Sequence, residues 1–210
     1  MFEYKIFLDE RFFLISTDEE KCFRSINGIG VRITDPKQIN ELFDWFEQSS
    51  ILEFYACTEF PDDAFSCLKN NPSDKYVCAA GGVVINNNEE VLLIYRLGRW
   101  DLPKGKIEIN ETQIIAAQRE IEEECGLSEI KIINKITDTY HVYKEDNKRI
   151  IKQTSWFKAN YNGSQTLKPQ TEEGITEARW IPIKDIAGYI PQMYASLQDL
   201  MTVVIQDFSK

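Results

Sequence analysis

Residues Arg119-Glu120-Ile121-Glu122-Glu123-Glu124 hold the densest set of groups able to do chemistry in this 210-residue chain. On a helix, side chains three and four apart share a face, so Glu120, Glu123 and Glu124 stack together. An acidic face turned to water is the usual reading of such a run. Two features oppose it here. Ile114, Ile115 and Ile121 form an apolar stripe that predicts one buried side, and a loop carrying glycine and lysine, Lys104-Gly105-Lys106, lies just upstream. Three converging carboxylates without a cation have raised pKa values. A hard divalent cation removes that conflict, because Mg²⁺ takes oxygen ligands and keeps some waters.

The wider spacing is Gly105, five residues, Glu111, seven residues, then Arg119 to Leu127. It resembles the signature of the Nudix hydrolases, G-x5-E-x7-R-E-U-x-E-E-x-G-U with U aliphatic, and every defined position matches. At residue frequencies of about 5–8%, seven fixed positions coincide by chance on the order of once in 10⁸ starts. The resemblance implies Mg²⁺-dependent cleavage of a pyrophosphate link, with Mn²⁺ as an expected substitute. It implies that Glu120, Glu123 and Glu124 hold the metal and that Glu123 or Glu120 takes the proton of the attacking water. Glu172 or Glu173, in the loop after the box, is a rival ligand or base. Gly105, Glu111, Arg119 and Gly126 are the implied structural positions: a close approach to the metal, a pair fixing loop to helix, and a helix stop.

Arg96, Arg99, Lys104 and Lys106 gather just upstream with only Asp101 opposing, a positive patch suited to substrate phosphates in a chain of net charge −10. The entry Trp100-Asp101-Leu102-Pro103-Lys104-Gly105-Lys106 is similar to family members acting on dinucleoside polyphosphates or nucleoside triphosphates. Tyr143, sixteen residues past Leu127, is a family hint toward dinucleoside polyphosphates. Trp100 is equally suited to stacking on a base and to core packing, and His141, the single histidine, reads as structural. The competing function is a non-catalytic Nudix-fold nucleotide sensor acting through the N-terminal unit, which the intact glutamate triad disfavours. An isoprenoid diphosphate isomerase on the same fold is disfavoured on the same ground.

The elements that must position these residues read as α/β (α+β). Asn70-Asn71-Pro72-Ser73-Asp74 marks a boundary, giving a small N-terminal α/β unit over 1–73 and the Nudix-type domain, a mixed β-sheet sandwiched between helices, over 74–210. In the first unit, strands are predicted at Lys5–Leu8, Arg11–Ser16 and Leu52–Cys57. One helix opens at Asp35-Pro36-Lys37-Gln38 and another spans Asp62–Lys69. In the second, strands are predicted at Tyr76–Ile85, Val91–Arg96, Lys131–Tyr143, Ile150–Asn160 and Arg179–Ile181. The box helix spans Glu111–Cys125, capped by Asn110 with Gln113 closing the box and ended by Gly126. A final helix opens at Pro191, with Leu197, Leu200, Met201, Val204, Ile205 and Phe208 on its apolar face. The N-terminal unit is expected to cover the substrate site, form a homodimer or bind a partner.

The acidic balance speaks against binding DNA. Five cysteines without a Cys-x-x-Cys pair exclude a disulfide framework or zinc site and predict reduced thiols. No apolar run approaches the ~18 residues of a membrane span, and Met1-Phe2-Glu3-Tyr4-Lys5 lacks a signal-peptide layout. The expectation is a cytoplasmic protein acting on a phosphorylated small molecule, most simply a nucleotide.

Overall fold

The computed structural model of the chain describes residues 3–208, with side chains to residue 206. The chain clusters into two compact units: Met1–Val77 with Tyr140–Lys152, and Cys78–Thr139 with Gln153–Lys210.

The first unit opens with the hairpin β1 (Glu3–Leu8) and β2 (Arg11–Ser16), turned at Asp9, whose φ is 53°. Then follow α1 (Glu19–Arg24), β3 (Gly28–Arg32), α2 (Gln38–Gln48), β4 (Glu53–Cys57) and α3 (Pro61–Lys69). Strands β2, β4 and β3 run parallel in the spatial order β3-β4-β2-β1. Phe13, Phe54, Phe43 and Phe46 lie fully buried at its centre, Phe13 stacked on Phe54 at 4.7 Å. The helix placed at Asp35 instead starts at Gln38. Its approach closes with three-residue bonds, Gln38 N–H to Asp35 C=O and Ile39 N–H to Pro36 C=O, so α-type bonding begins only afterwards. Gln38 Oε1 still accepts from Asp35 N–H across that turn, while Asp35 Oδ1 accepts from Lys37 N–H.

In the second unit, β5 (Lys75–Asn86) and β6 (Glu90–Arg96) form a hairpin, and short strands β7 (Arg99–Asp101) and β8 (Lys104–Lys106) pair with β6 and β5. Helix α4 (Gln113–Cys125) follows, then the long strands β9 (Lys131–Glu145) and β10 (Lys148–Tyr161). Their connection is the two-residue Asp146-Asn147 turn, with φ of 49° and 60°, the left-handed pair that suits strand twist. Strand β11 (Ile175–Pro182) and α5 (Ala195–Phe208) complete the unit, whose strand order is β11-β6-β5-β10-β9. The tip of the β9–β10 hairpin, Tyr140–Lys152, clusters with the first unit. Among the described residues no helix is long and apolar enough to cross a membrane.

Helix α4 lies directly on the sheet. A Cβ on Gly82 of β5 would fall 2.6 Å from Ile121 Cδ1. Its buried face is Ala116, Ala117, Ile121, Glu124 and Cys125. Ile114 and Ile115, expected in that stripe, are instead about half exposed, at 53% and 55%. The helix begins at Gln113, not Glu111, and Thr112 is its cap, accepting from Ile115 N–H. Asn110 cannot cap it, because its φ of 68° is left-handed and a cap needs extended backbone. Gly126 ends the helix at φ 65°, as anticipated.

The final helix starts at Ala195. Pro191 sits in a short 3₁₀ turn, and extended Met193 then bridges to Trp100 before the chain turns helical. Leu197, Leu200, Met201 and Val204 are buried as its periodicity predicts; the Phe208 side chain lies outside the described residues.

Candidate active site

The loop entering the box is fixed first by strand pairing. β8 sets Gly105 opposite Ala80, and Ile107 N–H donates to Cys78 C=O at 3.1 Å. Arg119 then pins the loop to α4. Its Nε and Nη2 donate to the two oxygens of Glu111 at 2.8 and 2.9 Å, and Nη2 also reaches Lys106 C=O at 3.0 Å. Glu111 in turn accepts from Glu108 N–H at 3.0 Å. The Arg119 guanidinium holds the Glu111 carboxyl below its usual range.

The three box glutamates share the face that helical spacing predicts, but their environments differ. Glu120 packs on the loop backbone. A Cβ on Gly105 would stand 2.0 Å from Glu120 Cδ, so only glycine lets this carboxylate approach the chain. Burial pushes the Glu120 pKa up, against Arg119, whose Nη1 donates to it at 2.8 Å. Glu123 is half exposed and accepts from the same Nη1 at 3.0 Å. Glu124 is 1% exposed and accepts from Lys104 N–H at 2.9 Å. Burial pushes its pKa up to about 7, although Lys104 and Arg96 oppose the shift.

Among the described residues no three acidic, histidine or cysteine side chains converge closely enough to cage a metal. Arg119 draws Glu120 and Glu123 together, while Glu124 turns toward Lys104 and Arg96. The donor set nonetheless fits a divalent cation. It consists of carboxylate oxygens, two of the three carboxyls are driven toward protonation by burial, and the Gly105 cradle leaves one of them room against the backbone.

The basic patch is more internally paired than its sequence suggests. Lys104 Nζ binds buried Asp101 at 2.6 Å, and the Arg99 guanidinium lies 5.2 Å from the Tyr194 ring centroid. Lys106 is exposed. Arg96 stands 3.7 Å from Glu124 and 3.0 Å from Glu173. Its buried Nε has no acceptor among the described residues. Trp100 is core, 7% exposed and edge-on to Tyr95 and Tyr189. Tyr143 belongs to the first unit.

The loop after β10 is strapped across the end of α4. Lys168 N–H bonds Cys125 C=O and Gln170 N–H bonds Glu124 C=O, satisfying carbonyls that a helix end leaves open. The strap carries Glu172 and Glu173 in a 3₁₀ turn, both exposed, and Glu173 is tied to Arg96. Nothing in the local sequence announces that strap. Glu122, the variable position of the box, accepts from Ile130 N–H and Gln118 Nε2 and so holds the helix exit.

A family model described as the NUDIX domain matches residues 75–201. The chain belongs to the Nudix hydrolase superfamily. It is a pyrophosphohydrolase of the Nudix type, a family whose enzymes generally use a divalent metal. The chain is similar to the RNA pyrophosphohydrolase of Ruthia magnifica subsp. Calyptogena magnifica, 27% identical over 152 residues, covering 63% of this chain and 85% of that protein. It is also similar to the putative mutator protein MutT4 of Mycobacterium tuberculosis (strain CDC 1551 / Oshkosh), 30% identical over 95 residues. That match spans 43% of this chain but only 36% of the relative. Among solved structures, the MutT protein from Methanosarcina mazei Go1 superposes with a TM-score of 0.50 at 20% identity, covering 67% of this Nudix chain and all of that one. This last likeness is one of fold.

Proposed function

We propose that the protein catalyses Mg²⁺-dependent hydrolysis of a pyrophosphate bond in a dinucleoside polyphosphate or a nucleoside triphosphate. The observation that carries this reading is the face of α4, where Glu120 packs on Gly105, Glu124 accepts from Lys104 N–H, and Arg119 joins Glu120 to Glu123 while locking the loop through Glu111. Bound Mg²⁺ would neutralise the phosphate oxygens and make water a better nucleophile.

The chain's own residues do the rest. Glu120, Glu123 and Glu124 supply the oxygen ligands. Glu123 reaches solvent, so its carboxylate is placed to take the proton of the attacking water. Arg119 orients Glu120 and Glu123 through one shared nitrogen. Arg96 offers its buried Nε, which has no acceptor among the described residues, to a phosphoryl oxygen. Glu173, held by Arg96, is a second candidate ligand or base. Arg99 and Lys106 add positive charge near the loop.

The test is phosphate or nucleotide release from a panel of nucleoside triphosphates, dinucleoside polyphosphates and 5′-triphosphorylated RNA, with and without Mg²⁺. Triphosphorylated RNA is included because a relative is named an RNA pyrophosphohydrolase. Release that requires Mg²⁺ and falls at least about a hundredfold in Glu123→Gln is expected, in line with the usual worth of a general base. A wild type that binds a panel member and hydrolyses none would favour the sensor instead.

A further inference from the structure

The first unit contains a crevice of about 470 Å³ whose lining includes none of the box residues. It opens at the carboxyl ends of three parallel strands. Thr17 follows β2, Thr34 lies just past β3, and Thr58 follows β4. Strands β2 and β4 are neighbours, yet the chain leaves them toward opposite faces of the sheet. Side chains alternate along β4. Phe54 and Ala56 pack with Phe43 and Phe46 of α2 and Phe65 of α3 on one face. Cys57 meets Cys22 of α1 on the other. The exit of β2 into α1 and that of β4 into α3 therefore diverge, and a crevice forms between them. In open α/β sheets, ligands settle at such switch points.

The lining selects the ligand's chemistry. Glu19 and Glu59 face a single guanidinium, Arg32, so the crevice disfavours a phosphate. Arg32 is already paired with Glu19 at 2.7 Å, which sets a donor fork beside a carboxylate acceptor. The three threonine hydroxyls add groups that both donate and accept. Phe60 lines the crevice and is 50% exposed, presenting an uncovered ring. A flat, uncharged heterocycle with donors and acceptors on its edge matches this set.

We propose that the crevice between the β2 and β4 exits binds a nucleobase or nucleoside, the ring on Phe60 and its polar edge against Arg32 and Glu19. No box residue lines it, and binding there needs neither metal nor hydrolysis.

Calorimetric titration of the full chain in EDTA with adenosine, guanosine, cytidine and uridine tests this. These probes carry no phosphate, so failure of the hydrolase reading leaves the outcome unaffected. Saturable one-to-one binding of at least one nucleoside is expected, unchanged in Glu123→Gln and weakened about tenfold or more in Arg32→Ala. Thr34→Trp, which fills the crevice from an exposed loop, should weaken it equally, and circular dichroism checks that each variant is folded. The proposal is overturned if no nucleoside binds, if binding survives both crevice variants, or if it is lost in Glu123→Gln. Tighter binding of inorganic phosphate than of any nucleoside, abolished by Arg32→Ala, would also overturn it.

Discussion

Arg119 and Glu111 face each other through two parallel hydrogen bonds, Nε to one carboxylate oxygen at 2.8 Å and Nη2 to the other at 2.9 Å. The same guanidinium also reaches Glu120, Glu123 and the Lys106 carbonyl. A lysine keeps the charge but has no planar fork. Arg119→Lys is therefore expected to lower thermal stability by about 1.5–3 kcal/mol and to lower kcat more than it raises KM, because the loop and two glutamates lose one common anchor. Chemical denaturation and steady-state kinetics measure the two effects; a change in KM alone would refute the anchoring role.

The same pair gives a pH dependence. Arg119 depresses the folded-state pKa of Glu111 below its unfolded value. The contribution is thus fully present above the unfolded pKa, about 4.3, and is lost as pH falls through the folded one. Wild type should exceed Glu111→Gln in melting temperature at pH 6–7 by more than at the acid end of a titration. A gap that stays constant or widens toward acid would contradict this.

Gly105 is a separate test of geometry. The carboxylate carbon of Glu120 occupies the space a Cβ at 105 would need, at 2.0 Å. Gly105→Ala must push Glu120 away from the loop. Activity should fall by an order of magnitude or more, since small displacements in a site are costly, while far-ultraviolet dichroism stays native. An alanine variant with wild-type turnover would show that the close approach is dispensable.

Divalent metal should act as a ligand of the folded state. Saturating Mg²⁺ is expected to raise the melting temperature of wild type, by an amount that grows with concentration over affinity. The rise should shrink in Glu120→Gln and in Glu124→Gln. Glu124 is buried with its pKa pushed up to about 7, so the neutral amide should leave the metal-free fold at least as stable as wild type at pH 8. An equal Mg²⁺ response in all three proteins would place the metal elsewhere.

Arg149 organises the hairpin tip within the first unit. It is 8% exposed, bonds Asp44 at 2.6 Å and Asp74 at 2.7 Å, and lies 5.1 Å from the Phe43 ring centroid. Arg149→Leu leaves Asp74 as a buried, unpaired charge and should cost about 3–5 kcal/mol in denaturant unfolding. Adding Asp74→Asn should recover part of that loss; a strictly additive double variant would show that the two residues are not coupled.

How much of this was legible beforehand follows from the range of each interaction. Helical spacing is local, so residues 119–126 alone placed three carboxylates on one face and Gly126 at its end. Strand alternation and turn residues likewise located β2, β5, β6 and the β9–β10 hairpin to within a few residues. Short α1 and glycine-bearing β3 escaped notice, because their reasons lie elsewhere in the chain. Gly28 makes room for the Tyr55 ring and Gly30 for the Cys22 carbonyl. Ile114 and Ile115 fit the apolar period but face outward, since Ala116, Ala117 and Ile121 take the contact with the sheet. The sequence by itself determined the box, its family and the glutamates fit for a cation. Tertiary structure decided that Arg96 joins Glu124 to Glu173, 77 residues away from it, and that Lys104 is spent on Asp101. It also decided that diverging strand exits open a crevice lined by Arg32 and Glu19. The physical reason is that a periodic pattern records which face is buried, whereas the partner on that face is fixed only when distant strands are brought side by side.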